Sequence, residues 1–159
     1  MFNEQKIFQF EKKEKISEAR EKLLRLEKEG NFVFHGSLDV LEELSPRQAY
    51  NKNKPDGEPA VFATPYADVA IFRALINTRY INENASNSFD LENDSLKFKA
   101  SKNLLDHAKE ITGKVYVLNK KDFVDFIGME CRSPQSVEPV EVVDVSFEDL
   151  PTGIELITI

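Results

Sequence analysis

The sequence contains a single cysteine, Cys131, among 159 residues. One thiol cannot build an internal disulfide framework, and it is too few for the multi-cysteine sites that hold structural zinc. No apolar run reaches the roughly 18 residues that a membrane-spanning helix needs. The N-terminus is charged from Glu4 onward and lacks the continuous apolar stretch of a secretory signal peptide. We therefore expect a cytoplasmic protein without a membrane partner, in which Cys131 is a buried, structural thiol.

A dense basic surface is also lacking. The formal net charge is -7, and residues 130–159 contain one arginine against seven acidic side chains. In residues 1–29 the lysines and arginines are interleaved with glutamates. A general nucleic-acid-binding protein needs a concentrated basic face to displace counterions from phosphates. The sequence therefore disfavours non-specific binding to nucleic acid and leaves a small local site as the alternative.

The common short motifs for cofactors and metals are absent as well. There is no glycine-rich phosphate loop, no dinucleotide-binding GxGxxG, no HExxH and no cysteine pair at metal-binding spacing. We therefore expect no metal. Any ligand site must be built from residues that are distant in the sequence.

The composition is that of one ordinary globular domain spanning residues 1–159, with 41% hydrophobic and 31% charged residues. Ile16, Ala19, Leu23 and Leu26 recur at helical spacing, and Gly30 suits the left-handed position after a helix. We expect an N-terminal helical segment over 1–29, followed by an α+β core over 30–159.

Periodicity and turn-forming residues predict the elements of this core. A helix is expected to begin at Thr64-Pro65, and a short helix to begin after Ser101 and to end before Gly113. Residues 38–59 are rich in turn formers and are expected to form one long loop. Strands, including a hairpin around Asn93-Asp94, are expected at 32–34, 60–63, 89–92, 95–99, 114–118, 128–132, 140–146 and 154–159.

His35 is the first candidate for a functional residue. It follows an apolar strand, so it lies where a buried strand opens onto a loop, and a histidine there can hydrogen-bond a ligand from a rigid platform. Gly36 permits close approach of a ligand to the backbone, and Ser37 adds a hydroxyl group. The alternative is a core histidine beside a glycine turn.

The order of two motifs resembles the ADP-ribosyltransferase superfamily. Phe34-His35-Gly36-Ser37 ends a first strand, and Val61-Phe62-Ala63-Thr64 ends a second strand that leads into a helix. The resemblance implies a pair of antiparallel sheets split around a cleft that holds NAD. It further implies that His35 hydrogen-bonds the adenosine ribose and that the backbone of Gly36 holds the nicotinamide amide.

The resemblance also implies an aromatic side chain near nicotinamide, at or near Phe62, Tyr66 or Phe72. The family commonly has tyrosine on the second strand, and Phe62 keeps the ring but lacks the hydroxyl group. Arg47 is a candidate for pairing with the NAD pyrophosphate, and the alternative is an ordinary surface arginine. Helix capping alone explains Thr64, and a contact with NAD would be additional.

A late strand in the family carries a catalytic glutamate, and two residues compete for this role. Glu130 begins a predicted strand, and Glu138 precedes Pro139. The implied role is to hold the nicotinamide ribose and to stabilise the oxocarbenium-like centre that forms as nicotinamide leaves. A surface salt bridge is the alternative for either side chain.

The resemblance implies transfer of ADP-ribose from NAD to an acceptor, which is a protein, a nucleic acid or a small molecule. A second hypothesis is a non-catalytic domain of the same fold that binds ADP-ribose or another nucleotide, which the missing tyrosine favours. A third is an interaction protein that uses the helix at 11–29 and the acidic C-terminal segment.

Overall fold

A computed structural model describes residues 16–51, 54–81 and 84–158, and these form an α+β arrangement of three helices and ten strands. The predicted segment at residues 1–15 lies outside the described residues. The helices are α1 (Glu18–Glu29), α2 (Ala67–Leu75) and α3 (Lys102–Ala108). The strands are β1 (Phe32–Ser37), β2 (Arg47–Asn51), β3 (Lys54–Ala63), β4 (Asn87–Glu92), β5 (Ser95–Ser101), β6 (Gly113–Asn119), β7 (Val124–Ile127), β8 (Glu130–Ser133), β9 (Glu141–Val145) and β10 (Glu155–Ile157).

The described part of the predicted N-terminal helix is confirmed as α1. Gly30 ends it in the left-handed conformation (φ 79°) and donates its N–H to the Glu27 carbonyl oxygen. Leu23 is fully buried in the core. Arg20 on α1 donates two hydrogen bonds of 2.9 Å to the Asp68 carboxylate on α2. The apolar face of α1 is therefore used to pack the domain together.

The strands form three sheets. The first is antiparallel with strand order β1-β6-β9, the second is antiparallel with order β2-β3-β8-β7, and the third has order β10-β5-β4. In the third sheet β10 runs parallel to β5. The first and second sheets are joined by two backbone hydrogen bonds, of 2.8 and 2.9 Å, between Phe34 and Thr64. This link holds the middle of β1 next to the end of β3.

Helix α2 packs directly on the first sheet because the sheet has glycine at the contact. A Cβ atom added to Gly36 would lie 1.9 Å from the Ala70 carbonyl oxygen, and one added to Gly113 would lie 2.9 Å from the Ala74 Cβ atom. Ala70 and Ala74 are themselves fully buried. The two small residues on each side allow a backbone-to-backbone approach that larger side chains would prevent.

The expectation of one long loop over 38–59 is wrong. Strand β2 begins at Arg47, and β3 begins at Lys54 rather than at Ala60. The two strands pair with a register shift between Arg47 and Ala49, and Gly57 has a positive φ of 72°. The turn formers that suggested a loop therefore lie in an irregular hairpin, where a bulge accommodates them.

The expected helix start at Thr64-Pro65 is also wrong. The N-cap residue is Tyr66 and α2 begins at Ala67. The backbone of Thr64 is occupied by its two hydrogen bonds with Phe34, so the helix begins only after them. The side chain of Thr64 accepts a 3.1 Å hydrogen bond from the Tyr66 N–H, and the Glu27 carboxylate of α1 accepts one of 2.6 Å from the Ala67 N–H.

The expected hairpin, the expected cap at Ser101 and the expected set of strands differ in how well they agree with the structure. The hairpin of β4 and β5 is confirmed, and its turn residues Asn93 and Asp94 have positive φ angles of 50° and 62°. Ser101 is the N-cap residue of α3, but its hydroxyl group bonds to Asn103 and Ser86 instead of capping the helix. Strand β7 was not expected from the sequence.

Candidate functional site

A cavity of about 310 Å³ lies where β1, β3, α2, β4 and the turn between β7 and β8 meet. The link between Phe34 and Thr64 fixes two of its sides, because it holds the middle of β1 next to the end of β3. Five residues singled out from the sequence line this cavity: His35, Gly36, Phe62, Thr64 and Glu130.

His35 is held in one orientation by a hydrogen bond. Its Nδ1 atom lies 2.7 Å from the Phe62 carbonyl oxygen. A carbonyl oxygen only accepts, so Nδ1 carries the proton and donates it. In the neutral imidazole this leaves Nε2 as a hydrogen-bond acceptor. The fixed tautomer makes His35 a partner for a hydroxyl or N–H donor of a ligand.

The surroundings of His35 keep it neutral near pH 7. Burial lowers the pKa of His35 below its ordinary value of 6.5, and the positive charges of Arg73 and Arg47 lower it further. The hydrogen bond to Phe62 and the charge of Asp39 act in the opposite direction, but burial has the largest effect.

Gly36 has a complete structural explanation in its contact with Ala70, which no other residue type can make. The same contact makes this part of the cavity wall backbone rather than side chain. The space that the missing side chain leaves is filled by α2, and Gly36 lines the cavity with its backbone.

Glu130 reaches the cavity by way of a tight turn. Ile127 and Glu130 are paired in the hairpin of β7 and β8, so the turn consists of Gly128, with a positive φ of 60°, and Met129. The Glu130 side chain is 48% exposed, and its carboxylate lies 3.8 Å from the guanidinium of Arg132. It is therefore a half-exposed acid at the edge of the cavity, and its ion pair is loose.

The ring of Phe62 lies between the cavity and the guanidinium group of Arg132. It pairs with Arg132 across β3 and β8, and the Arg132 guanidinium lies 5.2 Å from the centre of its ring. The ring is half-buried and lines the cavity. Its position suits stacking on a flat group of a ligand.

The other candidates lie elsewhere. Phe72 is fully buried, with its ring 4.9 Å from that of Phe98 and 6.1 Å from that of Phe89, so it offers no surface to a ligand. Tyr66 packs against the core as the N-cap residue of α2. Glu138 is exposed in a separate surface depression with Pro139. The late acid that the structure brings to His35 is thus Glu130.

Ser37 and Arg47 line a second cavity of about 250 Å³, which lies against the same two residues, His35 and Phe62. The chain that follows β1 is fixed in this region by Tyr116. The hydroxyl group of Tyr116 donates to the Asp39 carbonyl oxygen at 2.5 Å and accepts from the Leu41 N–H at 2.8 Å. Arg47 lies on a strand, and not on the loop that the sequence predicted.

Sequence reasoning missed four residues of the first cavity: Ala70, Arg73, Phe89 and Met129. The sequence did contain a sign of Arg73, because it is the one cation in the otherwise apolar second half of α2, where its side chain is exposed. Phe89 lies on β4 of the third sheet and Met129 in the turn between β7 and β8. Their contribution depends on long-range packing, for which the local sequence has no pattern.

Cys131 follows Glu130 in the sequence, but it lacks the exposure and the low thiol pKa of a reactive cysteine. It is fully buried, and burial raises the pKa of its thiol to about 12. The thiolate is the reactive form of cysteine. The expectation that this thiol is buried is confirmed.

Comparisons with protein-family models, with curated proteins and with solved structures found no match to this chain. In the part of the chain that the structure describes, every helix is too short or too polar to cross a bilayer. Within the same described residues, no group of three or more histidine, cysteine or acidic side chains is arranged to hold a metal ion.

Proposed function

We propose that the cavity at His35 binds NAD and that the protein transfers ADP-ribose from NAD to an acceptor, releasing nicotinamide. The observation that carries this proposal is the meeting of His35 and Glu130 in one cavity. They come from different sheets and from opposite ends of the described chain. In this proposal the first and second sheets, joined at Phe34 and Thr64, correspond to the split sheets of the ADP-ribosyltransferase fold.

Each residue has a distinct role in this reaction. The Phe62 ring stacks near nicotinamide, the Gly36 backbone holds the amide, and Nε2 of His35 accepts a hydrogen bond from a ribose hydroxyl. The bond between the ribose carbon and the nicotinamide nitrogen breaks, and its electron pair leaves with nicotinamide. The acceptor then forms a bond to that ribose carbon and loses its proton to solvent.

The carboxylate of Glu130 stabilises the positive charge that develops on the ribose as the bond breaks. Its half-exposed position at the cavity edge supports this role, because an acceptor must reach the same carbon from solvent. Such a carboxylate acts mainly on the transition state, so its loss affects the rate far more than the affinity for NAD.

A non-catalytic protein that binds a nucleotide in the same cavity is the second candidate. Two observations favour it. Phe62 offers no hydroxyl group to a ligand, and Arg132 lies close enough to Glu130 for a loose ion pair that a surface salt bridge alone would explain.

The rate of nicotinamide release from NAD, measured by chromatography, tests the proposal. Glu130→Gln is expected to lower this rate by about 100- to 1000-fold while calorimetry shows nearly unchanged NAD binding. Glu138→Gln is the matched control and is expected to have the wild-type rate, because Glu138 lies outside the cavity.

The other outcomes are equally informative. A loss of rate in Glu138→Gln alone would reject Glu130 as the acid. NAD binding without nicotinamide release would favour the non-catalytic protein. If neither NAD nor ADP-ribose binds, the proposed function is wrong.

A further inference from the structure

Tyr116 of β6 is a fully buried side chain with a polar end. It pairs with His35 in the register of β6 and β1, and the two rings lie 6.3 Å apart. Its hydroxyl group donates to the Asp39 carbonyl oxygen at 2.5 Å and accepts from the Leu41 N–H at 2.8 Å. A buried hydroxyl group costs free energy unless it is hydrogen-bonded, and both partners of this one are backbone groups of the segment 38–41. Tyr116 therefore ties this segment to the core.

The segment that Tyr116 holds lies outside the helices and strands. At its tip, Val40 is 80% exposed, so that side chain adds little packing. The Asp39 N–H donates to the hydroxyl group of Ser37 at 3.0 Å, and the Asp39 carboxylate lies 3.5 Å from Arg79 in an exposed ion pair. A local hydrogen bond and an exposed ion pair restrain a segment weakly. The two bonds to Tyr116 join the segment to the core, so they restrain it more strongly.

The same segment forms one wall of the second cavity. Asp39 and Leu41 line this cavity, which has a volume of about 250 Å³. His35 and Phe62 line both cavities, so the two cavities adjoin. Sites for complete small ligands usually occupy about 300 to 1,000 Å³, and the second cavity is therefore suited to one part of a ligand. In so small a space, the position of one wall decides which group fits.

We propose that Tyr116 is a positioning residue for the second cavity and thereby selects the group that a dinucleotide places there. This inference rests on the proposed function. In that function a ribose hydroxyl of NAD donates to His35, so that nicotinamide lies in the first cavity and the adenosine half lies in the second. Tyr116 lines neither cavity. It acts through the backbone of Asp39 and Leu41, which its hydroxyl group holds against β6.

A positioning role differs from a purely structural one in what its loss affects. Tyr116→Phe keeps the buried ring, so the packing of β6 is preserved, and it removes both bonds to the segment. A looser segment has more conformations, and a ligand that contacts it must restrict them again on binding. This cost affects NAD, whose adenosine half contacts the segment. Nicotinamide mononucleotide occupies the first cavity alone, so its binding is unaffected.

Calorimetry of the full chain with NAD and with nicotinamide mononucleotide tests this inference. Tyr116→Phe is expected to weaken NAD binding by about 10-fold and to change binding of the mononucleotide by less than about twofold. The KM for NAD in nicotinamide release is expected to rise by about the same factor, while kcat stays within about twofold of the wild type. The affinity for the mononucleotide and kcat both report on the first cavity.

A second variant loosens the same segment from its solvent side. Val40→Gly leaves the core unchanged and adds backbone freedom, so it is expected to weaken NAD binding by about 2- to 5-fold and to spare the mononucleotide. Ser133→Ala is the matched control. It also removes a buried hydroxyl group that bonds to nearby backbone, here that of Gln135, but Ser133 lines neither cavity. It is expected to bind both ligands with wild-type affinity.

If Tyr116→Phe binds NAD as tightly as the wild type, or weakens NAD and the mononucleotide alike, the inference is wrong while the proposed function stands. Wild-type NAD binding in Val40→Gly would contradict it as well, and so would a selective loss of NAD binding in Ser133→Ala. If the wild-type protein binds neither NAD nor ADP-ribose, the proposed function and the inference are overturned together.

Discussion

The cavity at His35 has two walls of opposite character. The helix-side wall consists of β1 residues Phe34–Gly36 and the part of α2 that begins at Ala70. It is tightly packed: Phe34 and Ala70 are fully buried, and Gly36 leaves no space for a Cβ atom. The hairpin-side wall, the turn at 128–130 between β7 and β8, is open: Met129 and Glu130 line the cavity, and the Glu130 side chain is half-exposed. All four residues of β7 are exposed, Ile127 by 77%.

The backbone shows the same difference. The helix-side wall belongs to a regular antiparallel pair of β1 and β6. In the hairpin-side wall the pairing of β7 and β8 is irregular, and Asp125 has a positive φ of 54°. The bulge also disrupts an edge strand that would otherwise be open to pairing with another chain. Packing therefore fixes the shape of the cavity on one side, while the other side presents Glu130 with little effect on the core.

Matched glycine substitutions in the two walls should differ most in stability. Gly36→Ala would place a Cβ atom 1.9 Å from the Ala70 carbonyl oxygen, so we expect a loss of about 3 kcal/mol or more in the free energy of unfolding. Gly128→Ala has no atom within 4 Å of the added Cβ, and only its positive φ costs energy, about 1 kcal/mol. Urea denaturation measures both, and equal losses would contradict the comparison.

The sequence predicted the features that depend on neighbouring residues. Helix α1 with its Gly30 cap, the strand at 32–34 and the hairpin turn at Asn93 follow from periodicity and backbone preferences. The expectation that the strand opens onto a loop at His35 is wrong, because β1 continues to Ser37 and pairs with β6 over its whole length. It also indicated five residues of the cavity. It did not predict Arg73, because the position of that side chain depends on how α2 packs on the first sheet.

The starts of β3 and α2 were predicted wrongly for the same reason, which is that they depend on long-range packing. The first half of β3 contains proline and glycine, and only its pairing with β2 makes it a strand. The start of α2 is delayed by the bonds between Thr64 and Phe34, which join two sheets. The local sequence does not indicate which distant strand or residue will pair with it.

The neutral state of His35 gives the helix-side wall a characteristic dependence on pH. Because the folded pKa is lowered, the unfolded chain binds more protons below pH 6.5, so stability is present above that pH and is lost as the pH falls toward the folded pKa. The slope is at most about 1.4 kcal/mol per pH unit. His35→Asn removes this contribution, so its stability should fall less than that of the wild type between pH 6.5 and 5. Parallel unfolding curves across this range would contradict a buried, neutral His35.

A smaller effect is expected at the junction of the two walls. Thr64 is buried, and its hydroxyl oxygen accepts from the Tyr66 N–H at the start of α2. Thr64→Ala removes this acceptor and should cost about 1 kcal/mol, measured by urea denaturation without ligand. Thr64→Ser keeps the hydroxyl group and should recover most of the loss. If serine is no better than alanine, the hydrogen bond does not stabilise the helix start.

The smallest change in stability is expected in the hairpin-side wall itself. Glu130→Gln alters a half-exposed side chain with a loose ion pair, so the free energy of unfolding should change by less than about 0.5 kcal/mol. Thermal unfolding checks this expectation. A loss of several kcal/mol would show that Glu130 supports the fold, and its effect on nicotinamide release could then not be assigned to catalysis.

A crystal structure of the protein with NAD tests the central claim most directly. The account predicts nicotinamide in the first cavity beside Gly36 and Phe62, with the Glu130 carboxylate within hydrogen-bond distance of its ribose. The rest of the ligand should pass His35 into the second cavity. NAD bound outside these cavities, or no NAD in them at saturating concentration, would contradict the account.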